Sequence, residues 1–287
     1  MIHQIKGIVN IQYLVYIAQI LIQMFGVYSD IDKYKYLVYH IVNPKEHSDI
    51  LKGVFTMTNK GYYNEKVINK FNEALNKAVI GVKKGEYLTA KFSGGNAKMG
   101  AVPSISLLPF LTCPANCKNT CSAKCYAAKL ANLRPNVLMN YAINTALAIH
   151  RPDLYWAHIN DFVKGCRFFR FHVSGDIINL RYFCEMVQVA RDNPHCEFLC
   201  FTKRFNYVNS YIDGNGELPS NLHILFSGWT NLEPDNPHNL PETNVFTCEN
   251  DFNENWKVCG GNCFNCVCRG VGCWQAKNGD VIAFKMH

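Results

Sequence analysis

Two periods of apolar and polar residues run along the chain and divide it into elements. In YYNEKVINKFNEALNKAVIGVKK, residues 62–84, apolar positions return every three or four residues, and Lys66, Lys70, Lys77, Lys83 and Lys84 fall around them, with Lys60 just before the segment. That pattern predicts an amphipathic helix with a solvated basic face. A glycine-rich turn, FSGGNAKMG, leads into VPSISLLPF, a short apolar strand that stops at Leu111 and Thr112 before a polar loop. Tyr126 to His150 is again of helical period, interrupted at Arg134-Pro135, where a proline ends or restarts a helix, and Pro152 opens another helix near 153–164. From there strand-like and helix-like runs alternate: CRFFRFHV (166–173) and a helix over 179–192, EFLCFT (197–202) and a helix over 205–212, then HILFSGW (223–229), NVFTC (244–248) and VIAF (281–284).

Alternating strands and helices build parallel βαβ units. The polar residues gather where the strands end: Cys113 after the first, His172, Ser174, Gly175 and Asp176 after the second, Thr202, Lys203 and Arg204 after the third, Ser227 and Trp229 after the fourth, Cys248 after the fifth. In parallel α/β folds the loops at the carboxyl ends of the strands converge over one opening, so these residues would share a mouth. That distribution favours a partial (β/α) barrel of about six parallel strands over a doubly wound sheet. The expected organisation is a basic, mostly helical extension over 1–90, the partial barrel over 91–250 and a Cys-rich segment over 251–287.

Composition narrows the class. The 287 residues are 48% hydrophobic and 18% charged, enough apolar surface for a real core and too little charge for a disordered chain. Lys and Arg outnumber Asp and Glu by 29 to 22, and residues 1–100 hold 13 of those cations against 7 acids, so the basicity reads as N-terminal. No RNA-binding signature or stacked-aromatic stripe accompanies it. Residues 7–29 carry no charge, but Asn10, Gln12, Gln19 and Gln23 interrupt them. Such amides are costly in lipid, and no small-residue cleavage site follows, so a soluble or interfacial helix in a cytoplasmic protein is expected rather than a membrane span.

Fourteen cysteines are the strongest chemical signal, and nine of them fall in 113–125 and 259–273. A disulfide scaffold suits short secreted chains, which this one is not. Cys113, Cys117, Cys121 and Cys125 are spaced Cys-x3-Cys-x3-Cys-x3-Cys; thiolates so close on a loop wrap one compact centre, as iron–sulfur clusters and structural zinc require. Placement after the first strand favours iron–sulfur, with zinc the alternative. In VCGGNCFNCVCRGVGCW, Cys259, Cys263, Cys266 and Cys273 form the preferred second set and Cys268 the extra thiol. Cys166, Cys184, Cys196, Cys200 and Cys248 read as buried small hydrophobes.

The cysteine loop after the first strand and the Ser-Gly-Asp turn after the second resemble those of radical S-adenosylmethionine (SAM) enzymes. The residues SISLLPFLTCPANC, CSAKCYAAK, FFRFHVSGDI, FLCFTK, FSGW with PDNPHN, and GGNCFNCVCRGVGCW are similar, more closely, to the phage gene-product-88 family over residues 92–287. The resemblance implies a radical-SAM-like enzyme of phage or prophage origin acting on an unknown substrate. Three thiolates would hold a 4Fe–4S cluster whose open iron takes SAM, with Cys113, Cys121 and Cys125 the best set and Cys117 a fourth ligand or spare. The usual spacing in those enzymes is Cys-x3-Cys-x2-Cys, and a fully four-thiolate cluster would have no open iron. Ser174, Gly175 and Asp176 would meet the SAM ammonium, with helix capping the plain alternative for Asp176; Lys203 and Arg204 would meet its carboxylate or an anionic substrate. His172 is either a catalytic group or a satisfied core histidine. The second cysteine set would hold an auxiliary cluster, and a flavodoxin or ferredoxin would supply electrons. Two other readings remain: an iron–sulfur redox or structural protein without SAM chemistry, and a zinc-stabilised phage module binding nucleic acid through 60–84 or binding protein.

Overall fold

The computed structural model describes residues 65–247 and 252–285. The uncharged stretch 7–29, most of the N-terminal extension and Cys248 lie outside the described residues. The helices are α1 (Glu65–Lys84), α2 (Tyr126–Leu133), α3 (Pro135–His150), α4 (Pro152–Val163), α5 (Leu180–Asp192), α6 (Phe205–Asn215) and the short α7 (Cys263–Cys268). The strands are β1 (Phe92–Ser93), β2 (Ser104–Ile105), β3 (Phe168–Phe171), β4 (Glu197–Thr202), β5 (Leu222–Ser227), β6 (Glu242–Phe246), β7 (Lys257–Val258) and β8 (Val281–Lys285).

Local chemistry explains several boundaries. Pro135 and Pro152 occupy the first turns of α3 and α4, where a missing N–H costs no hydrogen bond. Asn179 caps α5, its side chain accepting from Tyr182 N at 2.8 Å. The capping role expected as the alternative for Asp176 therefore belongs to Asn179.

All strands join one eight-stranded sheet in the order β1-β2-β3-β4-β5-β6-β8-β7. Only β1 runs antiparallel to its neighbour; every pairing from β2 to β7 is parallel. Side chains alternate between the faces of this sheet. Phe169, Phe171, Phe198, Cys200, Ile224 and Phe226 point into the layer built by α1 to α6, together with Phe71, Tyr155, Trp156 and Phe183. Burying each such phenylalanine contributes about 1.5–3 kcal/mol. Leu199, Leu225 and Ile282 face the other way and meet Met99, Val102 and Trp274.

The helical layer thus lies on one face, and the strands β2 to β6 add in chain order, unlike a doubly wound sheet with helices on both faces. The sheet is open, with β1 and β7 at its two ends, and has eight strands where about six were expected. The Cys-rich segment is no appendage, since it supplies β7 and β8 to that sheet. The basic helix is also integrated: Phe71, Ala78 and Val82 of α1 enter the core. Among the described residues no helix is long and apolar enough to cross a membrane.

Candidate metal centre

Both cysteine windows begin at carboxyl ends of parallel strands, the first on the loop after β2 and the second directly after β7. The first folds as two 3-10 turns, Ala115–Asn119 and Cys121–Lys124, which lead into α2. Cys125 is the N-cap of α2, its sulfur accepting from Ala128 N at 3.4 Å. Cys117 is the most buried of the four, 6% exposed. Hydrogen bonding to Cys113 and Cys121, reinforced by burial, pushes the Cys117 thiol far above the ordinary range. The same bond from Cys117 draws Cys121 down to about 6, helped by the charge of Lys203. Burial pushes Cys125 up to about 12, with Cys113 and Cys121 adding to the rise. Cys117, read from sequence as a fourth ligand or spare, therefore lies between two of its neighbours rather than apart from them.

The Ser174-Gly175-Asp176 turn is the platform under this loop. Ser174 Oγ donates to Leu107 O at 2.9 Å, and Leu107 N donates back to Ser174 O at 2.9 Å. Gly175 has φ +79°, and a Cβ there would stand 2.5 Å from Thr112 Oγ1 and 2.7 Å from Leu107 Cβ. Only glycine tolerates both that backbone angle and that approach. Asp176 is buried; its carboxylate accepts from Thr202 Oγ1 at 2.6 Å, Ile177 N at 2.7 Å and Lys203 N at 2.9 Å. Burial pushes the Asp176 carboxyl up, opposed by the Thr202 and Lys203 donors. These contacts tie β3 to β4, so the residues read as ligand-binding from sequence hold the scaffold of the loop.

Lys203 Nζ donates to Ser227 O at 2.8 Å and to Ser227 Oγ, and lies 5.7 Å from the centre of the Trp229 ring. Arg204 Nη2 donates to Thr112 O at 3.2 Å, while its Nε is buried without a partner. Asn116, inside the cysteine loop, donates from Nδ2 to Lys203 O at 3.4 Å and leaves a buried Oδ1 without a partner. His172 is separate from this group. Its Nε2 lies 2.9 Å from the Tyr182 hydroxyl and its Nδ1 3.8 Å from Cys200 Sγ, in the helix-side core, where burial lowers its pKa to about 3. These are the surroundings of a buried, hydrogen-bonded histidine.

In the second window, Cys263 and Cys266 share one face of α7, whose N-cap Asn262 accepts from Asn265 N at 2.9 Å. Cys259, Cys263, Cys266 and Cys273 all pack against the cluster around Trp274, whereas Cys268 is exposed. Burial pushes Cys273 up to about 12, and Cys259, Cys263 and Cys266 add to it; burial raises Cys266 likewise, with Cys259 and Cys263 contributing. The glycine-rich turn before β2 docks this window, with Cys263 N donating to Lys98 O and Phe264 N to Met99 O, both at 3.1 Å.

Two residues that sequence reading did not single out stand between the windows. Arg170 of β3 points Nη1 at Cys263 Sγ, 3.8 Å away, and its guanidinium lies 4.5 Å from the Phe201 ring centre. Tyr126 donates from its hydroxyl to Val173 O at 2.6 Å and lies within electrostatic range of Arg170, Cys121, Cys125 and Cys263. A cation inside the apolar run FFRF was the sequence signal that pointed to Arg170.

Among the described residues no three His, Cys, Asp or Glu side chains stand in ready ligating geometry. The donor sets nevertheless suit a thiophilic cation. Neighbouring thiols and burial raise Cys117, and burial together with neighbouring thiols raises Cys125 in the first set and Cys266 and Cys273 in the second; a bound cation would offset that cost by holding its ligands deprotonated.

A family model described as "Gene product 88" matches residues 66–265. The "Gene 88 protein" of Mycobacterium phage L5 is 31% identical over 156 residues, which cover 50% of this chain and 62% of the phage protein. No solved structure matches.

Proposed function

The chain belongs to the phage gene product 88 family, and from that premise we propose that it is an iron–sulfur protein of radical-SAM type, with Cys113, Cys121 and Cys125 as the thiols of the SAM-cleaving centre, Cys117 as a spare thiol beside them, and Cys259, Cys263, Cys266 and Cys273 as those of an auxiliary centre. The observation that carries the reading is the pair of buried, unpartnered groups beside the first thiols, the Asn116 Oδ1 acceptor and the Arg204 Nε donor. A zwitterionic amino-acid moiety offers both complements, an ammonium for the one and a carboxylate for the other. Asn116 thereby takes the ammonium role read from sequence for Asp176, while Arg204 keeps the carboxylate role read for it together with Lys203. Asp176 positions Lys203 and Arg204 through the end of β4. A 4Fe–4S cluster held by Cys113, Cys121 and Cys125 would supply the electron for breaking a carbon–sulfur bond of SAM, chemistry that side chains alone cannot provide.

The placement of Cys117 between Cys113 and Cys121 favours a second reading, a four-thiolate centre that carries electrons without SAM chemistry. Anaerobic purification with quantitation of iron, sulfide and zinc, followed by EPR of the dithionite-reduced protein with and without SAM, separates the two. Iron and sulfide for two clusters with a SAM-dependent spectrum is the expected result. Clusters indifferent to SAM leave the electron-carrier reading, and zinc without sulfide overturns both.

A further inference from the structure

Between Tyr87 and Pro152 the chain carries seven basic residues, Lys91, Lys98, Lys118, Lys124, Lys129, Arg134 and Arg151, and no Asp or Glu. This stretch contains the first cysteine window and α2. On α2 two leucines at helical spacing are exposed, Leu130 43% and Leu133 65%. Lys124, Lys129 and Arg134 are exposed along the same short segment. Lys70 of α1 adds a further cation at its end, donating from Nζ to Asn132 O at 2.7 Å. An apolar centre with a rim of one charge sign is the composition of a protein-docking patch. A nucleic-acid face would be polar and Arg-rich, and Tyr126 is the one aromatic on this helix.

Cys125 caps the first turn of that helix. At 1.5 Å of rise per residue, Leu130 lies about 7.5 Å further along the axis. We propose that the outer face of α2 is the docking site of a small acidic electron-carrier protein of the flavodoxin or ferredoxin class. Its reduced form passes one electron to the first centre and leaves oxidised by one electron. The inference rests on the iron–sulfur reading for what the electron does, and on charge and exposure for where the partner sits.

The probe is a bacterial flavodoxin. Its hydroquinone is mixed anaerobically with the holoprotein, and the rate of cluster reduction is followed as a function of salt. Calorimetric titration with the same flavodoxin reads binding whether or not a cluster is present. In K124E/K129E the low-salt rate and the affinity should each fall about tenfold or more, because steering by complementary charge is worth that much and is screened over roughly 10 Å at 0.1 M salt. L130N, which removes the apolar contact without adding charge, should weaken binding without changing the salt dependence, and K129R should behave as the wild type. Dithionite reduction, iron content and thermal midpoint of all three variants should match the wild type. Unchanged flavodoxin affinity in K124E/K129E overturns the docking surface, as does a single-stranded DNA oligonucleotide that binds through these lysines where flavodoxin does not. Absence of iron in the wild type overturns the functional reading instead, and the titration still decides the surface.

Discussion

Replacing Gly175 by alanine tests whether the Ser-Gly-Asp turn is scaffold or ligand contact. Its φ of +79° is in the left-handed region, which costs an L-residue about 1–2 kcal/mol. The new Cβ would also press on Thr112 Oγ1, Leu107 Cβ and the Leu107 carbonyl carbon at 2.5, 2.7 and 3.1 Å. None of these yields easily: Thr112 Oγ1 is bonded to Leu108 O at 2.8 Å and Leu107 is held at both ends by Ser174. Overpacking of this kind costs about 1–3 kcal/mol. The total of roughly 2–5 kcal/mol is a large part of a typical domain's stability and should lower the thermal midpoint by roughly 5–15 °C. Gly214 provides the control, because it lies in α6 and a Cβ added there would meet nothing within 4 Å. Gly214→Ala should stabilise by about 0.5–1 kcal/mol through helix propensity. Circular-dichroism melts of the two variants decide the matter. If Gly175→Ala melts within a degree or two of the wild type but no longer responds to SAM, the turn is a ligand contact and the scaffold argument is wrong.

The depressed pKa of His172 makes stability pH-dependent with a defined sign: neutral in the fold down to about 3, the ring takes up a proton on unfolding below its ordinary 6.5. Stability is therefore complete above pH 6.5 and is lost as pH falls toward 3, by on the order of 4 kcal/mol. Urea titrations from pH 7 to 4 should show His172→Gln losing less stability than the wild type, and equal slopes would refute the assignment. Cys268→Ser should leave metal content unchanged while Cys266→Ser removes the second centre, read by metal analysis and visible absorbance. Arg170→Gln, by removing a positive charge 3.8 Å from Cys263 Sγ, should lower the reduction potential of that centre. A shift of roughly 60 mV, tenfold in a one-electron equilibrium, is expected in a redox titration, with the first centre less affected.

The elements were legible wherever one periodicity ran long enough. The break at Arg134-Pro135 and the helices after Pro152, Asn179 and Arg204 follow directly from proline geometry, capping and apolar spacing. Strand order was less so, because whether a parallel sheet closes depends on twist and on what covers its inner face, here Met99, Val102 and Trp274. The two thiol sets were visible as spacing, but their facing across Arg170 and Tyr126 is a tertiary fact with no local signature. Asp176 misled for the opposite reason: a carboxylate at a strand end suits an ammonium and three internal donors equally well, and only the fold brings Thr202 and Lys203 to it. The acid-free stretch 87–152 runs through several elements, so no single one of them displays it.

That the two windows meet only across the finished sheet has a consequence for how the protein is made. Cys273 is synthesised 148 positions after Cys125. At about 5–20 residues per second, the first thiols emerge roughly 7–30 s before the last of the second set can fold over the same face. During that interval the first window stands without the strands β7 and β8 that complete the sheet. Any metal that the first thiols take can therefore reach them before the second set exists.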